Sequence, residues 1–186
     1  MALLNSTPYT FSNGRATQIT DPSTTLAFVM VTKYQREYAV RISGGGGAAV
    51  TLSTLRSVFK SAGPGSSGGN AFTPFSLIGS FSHVKIATDD GSKKIEATRG
   101  TIFGIACPPW AKEISYRDIE CFFLSEDGER GGRVEGFELG SGVVEWGIGG
   151  RYHLVSPCFY FFVLEAEGCV GYQGEDWWGG VGVGLM

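Results

Sequence analysis

The chain has 186 residues, 42% of them hydrophobic and 13% aromatic, with a net charge of −3, which excludes a disordered tail and suffices for a core burying about 70% of the unfolded chain's surface. A pI near 5.4, without lysine and arginine clusters interleaved with aromatics, argues against nucleic acid as a partner. The longest apolar run, Cys158 to Leu164, is far short of the roughly 20 residues of a membrane helix.

With no basic, apolar signal peptide at its start, the chain is expected to be soluble, without a transmembrane segment, and to form a single β-rich domain over 1–186; its compartment stays open. The 29 glycines are more than twice the ordinary usage of about 7% and bias the fold towards turns and strands.

Taken in chain order, Leu26-Ala27-Phe28-Val29-Met30-Val31 is apolar on both alternating faces and predicts a strand covered on both sides. Tyr38 to Ile42 alternates, with Tyr38, Val40 and Ile42 on one face and Arg41 on the other, and ends at Gly44–Gly47. One helix follows, with Ser53 as its cap and Leu52, Leu55, Val58 and Phe59 at helical spacing; Gly63-Pro64 stops it before a Gly/Ser-rich loop reaching Asn70. Strands at 83–88 and 93–98 flank a turn-forming Asp89-Asp90-Gly91-Ser92, and Thr101 to Ala106 is a further strand stopped by Pro108-Pro109. Residues 119–124 and 133–139 flank a hairpin loop from Glu126 to Gly132, with Gly136 shifting the apolar phase between Val134 and Phe137 as a bulge would. Val144, Trp146 and Ile148 share one face of another strand, and Phe159 to Leu164 reads as a sheet centre. The expected class is mainly β: an antiparallel sandwich or partly closed barrel of about ten strands with one peripheral helix. No 20–50-residue period suggests a propeller or solenoid.

Charge is unevenly spread. Through Lys112 there are 11 lysines and arginines against 5 carboxylates, and beyond it 4 against 13. Two readings follow: strands of the two halves place opposite charges beside each other, or the molecule is dipolar and assembles into a homo-oligomer.

Short catalytic motifs are scarce. The chain lacks the phosphate-loop, H-E-x-x-H and C-x-x-C patterns, and no cofactor or metal is expected. Gly65-Ser66-Ser67-Gly68-Gly69 matches the nucleophile-elbow pattern but follows a helix rather than a strand. Cys107, Cys121, Cys158 and Cys169 lack zinc or redox spacing, and Cys121 and Cys158 sit in apolar runs as core residues. Asn5-Ser6-Thr7 is a glycosylation sequon. A histidine-dependent mechanism has only His83 and His153 to draw on, and His153 and Cys158, five apart, fall on opposite faces of a strand. The acidic tips at Asp89-Asp90 and Glu126 to Glu129 lack the periodicity of a calcium loop.

The densest functional signal is aromatic and acidic: Tyr172, Glu175, Asp176, Trp177 and Trp178, among glycines. Indole faces beside carboxylates suit a pyranose or a lipid headgroup, so the expected function is non-enzymatic recognition of a glycan or lipid, with no catalytic residue. Its rivals are a self-assembling structural or toxin subunit, resting on the charge asymmetry, and a glycan-cleaving or ADP-ribosylating enzyme using Glu165 and Glu167.

Overall fold

The computed structural model describes residues 2–4, 7–21, 30–32, 35–44, 50–61, 71–113, 118–148, 151–155, 161–165, 168–169 and 183–185, and only side chains up to residue 148 enter the description. The strands are β1 (Ala2–Leu4), β2 (Thr7–Ser12), β3 (Arg15–Gln18), β4 (Met30–Thr32), β5 (Tyr38–Ser43), β6 (Thr73–Thr88), β7 (Gly91–Ala106), β8 (Ile119–Ser125), β9 (Gly131–Trp146), β10 (Arg151–Val155), β11 (Phe161–Glu165), β12 (Gly168–Cys169) and β13 (Val183–Leu185), with one α-helix, α1 (Leu52–Ser61). The mainly β class stands, with thirteen strands among the described residues where about ten are expected.

The central sheet runs β5-β9-β6-β7-β8, and β8 pairs again with β9 from Phe122↔Arg133 to Leu124↔Gly131, so β6, β7, β8 and β9 close into a partial ring. A second sheet has the order β3-β2-β1-β13-β4, and a third has β11 between β10 and β12. In the second sheet, Asn13 (φ 49°) and Gly14 (φ 83°) make the two-residue turn between β2 and β3, the left-handed pair that matches strand twist in a tight hairpin.

Three strands of 16 residues, β6, β7 and β9, carry the ring. Each changes which face it buries part-way along. On β6 the ring core takes Phe75, Leu77 and Phe81, then Val84 and Ile86; on β7 it takes Ile102 and, on the opposite parity, Ile95, with Thr98 also buried. Strict alternation cannot do this, and the ladder is locally broken where it happens. Phe81↔Thr98 and His83↔Glu96 are paired, while Ser82 and Ala97 between them are not, and Ala97 has a left-handed φ of 40°. On β9 the burial moves from Val134 to Phe137 and Leu139, then to Val144 and Trp146; its register against β6 shifts between Ile86 and Lys85, beside Gly136, and again between His83 and Ser80. The bulge expected at Gly136 is therefore present, and slips of this kind keep a coiling strand aimed at one core.

Two cores result. One fills the ring with Leu77, Val84, Ile102, Phe123, Leu139, Val144 and Trp146, closed at one side by Leu55 and Phe59 of α1. Phe59 lies 5.1 Å from the Phe75 ring and 5.9 Å from Trp146, and Tyr38 of β5 stacks on Trp146 at 5.5 Å. The helix is capped two residues earlier than expected. The Thr51 carbonyl accepts the Leu55 N–H, and the Thr51 N–H donates to Thr54 Oγ1 at 3.2 Å, which makes Thr51 the cap and places Ser53 inside the first turn. The other core lies between the outer faces of β7 and β8 (Phe103, Ile105, Phe122, Leu124) and the N-terminal strands (Ala2, Ala16), with Phe11 stacked on Phe122 at 5.6 Å.

Glycine lets the ring bend. Gly142, Gly79 and Gly100 are successive cross-strand partners on β9, β6 and β7. A Cβ at Gly79 would lie 2.5 Å from the Ser141 carbonyl oxygen, and one at Gly100 would lie 2.4 Å from the Leu124 carbonyl oxygen and 2.7 Å from the Phe123 ring. Part of the charge asymmetry is used inside the molecule. Of seven ion pairs among the described residues, five join the two halves: Arg36–Glu145, Arg56–Asp118, His83–Glu138, Lys85–Glu135 and Arg99–Glu126.

Candidate functional site

The β8–β9 hairpin folds over the bend in β7. Its turn is built by Ser125, which is buried although polar. The Ser125 hydroxyl donates to Asp127 Oδ1 and accepts the Arg130 N–H at 2.9 Å, and the Glu129 N–H donates to the same Asp127 oxygen at 3.0 Å. These donors stabilise the ionised carboxylate: first the Ser125 hydroxyl, then the Glu129 amide, with Arg130 adding a smaller attraction, so the Asp127 carboxyl is held below the ordinary carboxylate range. Strand β3 and the turn before it clamp the hairpin, through Ala16 N–H to Glu129 O at 2.8 Å and Gly131 N–H to Gly14 O at 3.1 Å.

Beside this turn lies an open cavity of about 410 Å³ lined by Ala97, Thr98, Arg99, Glu126, Asp127 and Arg130. Arg99 of β7 and Arg130 of the β8–β9 turn both line it, because β7 and β8 are paired at Gly100↔Ser125 and the Glu126 N–H donates to the Arg99 carbonyl at 3.0 Å. Each is loosely engaged: Arg99 Nε is 3.7 Å from Glu126 Oε2, and Arg130 Nη2 is 3.6 Å from Asp127 Oδ2 and 3.5 Å from the hydroxyl of buried Thr98. A strong guanidinium–carboxylate hydrogen bond is about 2.7–2.9 Å long. Neither guanidinium is therefore held in a short carboxylate pair among the described residues.

The aromatic and acidic residues expected to form a ligand site, Tyr172, Glu175, Asp176, Trp177 and Trp178, lie outside the described residues, as do Cys158 and Glu167. Glu165 ends β11, opposite Arg151 of β10, and His153 of β10 is opposite Val163. His83 faces Glu138 at 3.6 Å across β6 and β9. Trp146 is core, 1% exposed, whereas Trp110 is 43% exposed. Asp89 and Asp90 form the β6–β7 turn. Among the described residues no group of three or more His, Cys, Asp or Glu side chains comes together to hold a metal ion, and no helix is long and apolar enough to cross a membrane. The Arg99 and Arg130 pairing escapes sequence reading because the two positions share no motif; only the β7–β8 register joins them.

The family model for alpha-acetolactate decarboxylase matches residues 85–162, under half of the chain, running from the end of β6 into β11. No curated protein matches it. Among solved structures, alpha-acetolactate decarboxylase from Bacillus subtilis strain 168 is 19% identical, with a TM-score of 0.62, covering 78% of this chain and 66% of its own. The acetolactate decarboxylase of Bacillus subtilis subspecies spizizenii gives 19% identity, a TM-score of 0.63 and the same coverage. A Staphylococcus aureus protein of unknown function similar to alpha-acetolactate decarboxylase is 18% identical, with a TM-score of 0.54, covering 63% of this chain and 54% of its own. The chain thus spans between about half and just under two thirds of these proteins.

These likenesses overturn the expectation of a non-enzymatic glycan- or lipid-binding protein, and they lend nothing to lectin-like or toxin-like character or to a glycan-cleaving or ADP-ribosylating activity. The expectation fails because missing motifs exclude only chemistries that need a short contiguous signature, whereas this likeness is spread over residues 85–162. In fold the chain resembles the acetolactate decarboxylases.

Proposed function

We propose that this chain is an enzyme of the acetolactate decarboxylase kind, acting on a small branched 2-hydroxy-3-oxo carboxylate. The observation that carries the reading is the family match over 85–162, which covers most of the ring and its hairpin; the shared fold supports it. In such a substrate the bond between the carboxylate carbon and C2 breaks, carbon dioxide leaves, and the electron pair moves towards the 3-oxo oxygen. The enediolate then takes a proton on carbon to give a hydroxyketone. Catalysis therefore requires positive charge where the oxyanion develops, rather than where the carboxylate begins.

The test supplies racemic 2-acetolactate to the purified chain and follows carbon dioxide release above the spontaneous rate. Saturable release proportional to protein concentration supports the reading. A rate equal to that of buffer overturns it.

A further inference from the structure

We infer that the open edge of β5 is a self-association surface, at which a second copy of this chain pairs antiparallel about a twofold axis at Val40. Strand β5 pairs with β9 in unbroken register from Tyr38↔Trp146 to Ser43↔Ser141, and among the described residues no strand pairs with its other side. Edge strands are ordinarily blunted by lysine, proline, a bulge or a covering segment. Strand β3 has such a cover, in its hydrogen bonds with the β8–β9 hairpin. Strand β5 carries neither lysine nor proline, and Ala39, Val40, Arg41 and Ser43 are exposed. The edge also cuts through an apolar row. Ile102, Leu77, Val144 and Val40 are successive cross-strand partners on β7, β6, β9 and β5; the first three are fully buried, whereas Val40 is 41% exposed between the half-buried Tyr38 and Ile42.

The strand is self-complementary in one register. Directly opposed residues of an antiparallel pair share a face, so a slip of one residue would set the apolar face of one copy against the polar face of the other. Centring the axis on Arg41 would oppose two guanidinium groups. Centring it on Val40 extends the apolar row into the second copy, with Val40 against its own equivalent and Tyr38 against Ile42 of the second copy, and places Ala39 against Arg41 of the second copy on the other face. That last contact is complementary in charge. Arg41 takes part in none of the seven ion pairs among the described residues, and the β9 partner of Ala39 is Glu145. Two strand spacings, about 10 Å between Cα atoms, separate the incoming Arg41 from Glu145 across the small Ala39, within the combined reach of the two side chains. Glu145 already holds Arg36 at 2.8 Å through Oε1, so the second guanidinium would take Oε2.

Sedimentation equilibrium of the whole chain, from micromolar to millimolar concentration, should show a monomer–dimer equilibrium. Val40→Lys sets two like charges directly opposite each other and should weaken the dimer about tenfold or more, while the circular dichroism spectrum and melting temperature stay those of the parent, because residue 40 is exposed in the single chain. The register is read by cross-linking under copper-catalysed air oxidation. In Val40→Cys the two new thiols belong to directly opposed residues, whose Cα atoms lie about 4.5–5.5 Å apart, within disulfide range, so a covalent dimer is expected on a non-reducing gel. In Arg41→Cys the equivalent positions are offset along the strands by two residues, roughly 8 Å apart, and no covalent dimer is expected beyond that of the parent with its 4 native cysteines. A chain that stays monomeric at millimolar concentration, a dimer as tight in Val40→Lys as in the parent, or cross-linking at position 41 rather than 40 would overturn the surface.

Discussion

Substituting alanine for Gly100 tests whether the glycine row is what lets the ring bend. The new Cβ would sit 2.4 Å from the Leu124 carbonyl oxygen and 2.7 and 2.9 Å from two atoms of the Phe123 ring. Neither neighbour can move away cheaply. The Leu124 carbonyl is backbone of β8, paired with β7 and β9 on either side, and Phe123 is fully buried, edge-on to Phe81 at 5.8 Å. Overpacking a core by one methyl ordinarily costs about 1–3 kcal/mol; with a backbone carbonyl as the obstacle, about 3 kcal/mol is expected. For a chain of this size that lowers the melting temperature by roughly 6–12 °C. Gly136 is the control: it has no atom within 4 Å of its would-be Cβ, so Gly136→Ala should be neutral or stabilise by up to about 1 kcal/mol through the unfolded state. Thermal and urea unfolding followed by circular dichroism would measure both. A Gly100→Ala protein within about 0.5 kcal/mol of the parent, or two variants equally damaged, would refute the packing argument.

Ala97→Gly removes a left-handed alanine from the middle of a strand and should stabilise by up to about 1 kcal/mol in urea unfolding, because the relieved strain outweighs the added freedom of the unfolded chain; a loss of stability would show that φ at this position is not strained. Phe123→Ala empties a fully buried ring position and should cost about 3–5 kcal/mol in the same assay, while a cost under 1 kcal/mol would show that the ring core is not packed as described. Asp127 has a folded-state carboxyl held below its unfolded value. Its contribution is therefore complete above the unfolded carboxylate range near pH 4 and fades as pH falls through the lower folded value. Asp127→Asn should flatten the stability profile below about pH 4, and identical profiles for the two proteins would contradict the assignment.

Much of the fold is legible in the sequence, and what is not has identifiable causes. The alternation in Tyr38 to Ile42, the spacing of Leu55 and Phe59, and the phase shift at Gly136 all report local geometry, and each corresponds to an observed element. Reading 83–88, 93–98 and 101–106 as separate strands follows from the same alternation. Where Phe81 gives way to Val84, and Thr98 to Ile95, the buried parity changes, and a period-2 reading must stop. The left-handed Ala97 that carries β7 through the change leaves no mark on composition. Asn13-Gly14, by contrast, is a plain hairpin signal, although the expected strands began only at Leu26. Glycine's role also shifts: besides ending elements and opening space among aromatics, it occupies strand interiors at Gly79, Gly100 and Gly142, where only cross-strand register explains the need. For the same reason the arginine pair at the cavity was beyond reach, since Arg99 and Arg130 meet only after β7 and β8 align.

Whether the ring is a working decarboxylase scaffold is tested most directly by the time course of 2-acetolactate consumption resolved by enantiomer. An enzymatic site is chiral, so one enantiomer should disappear faster than the other, in proportion to the protein added, with the matching hydroxyketone formed. Equal loss of both enantiomers at the spontaneous rate would contradict the proposed function.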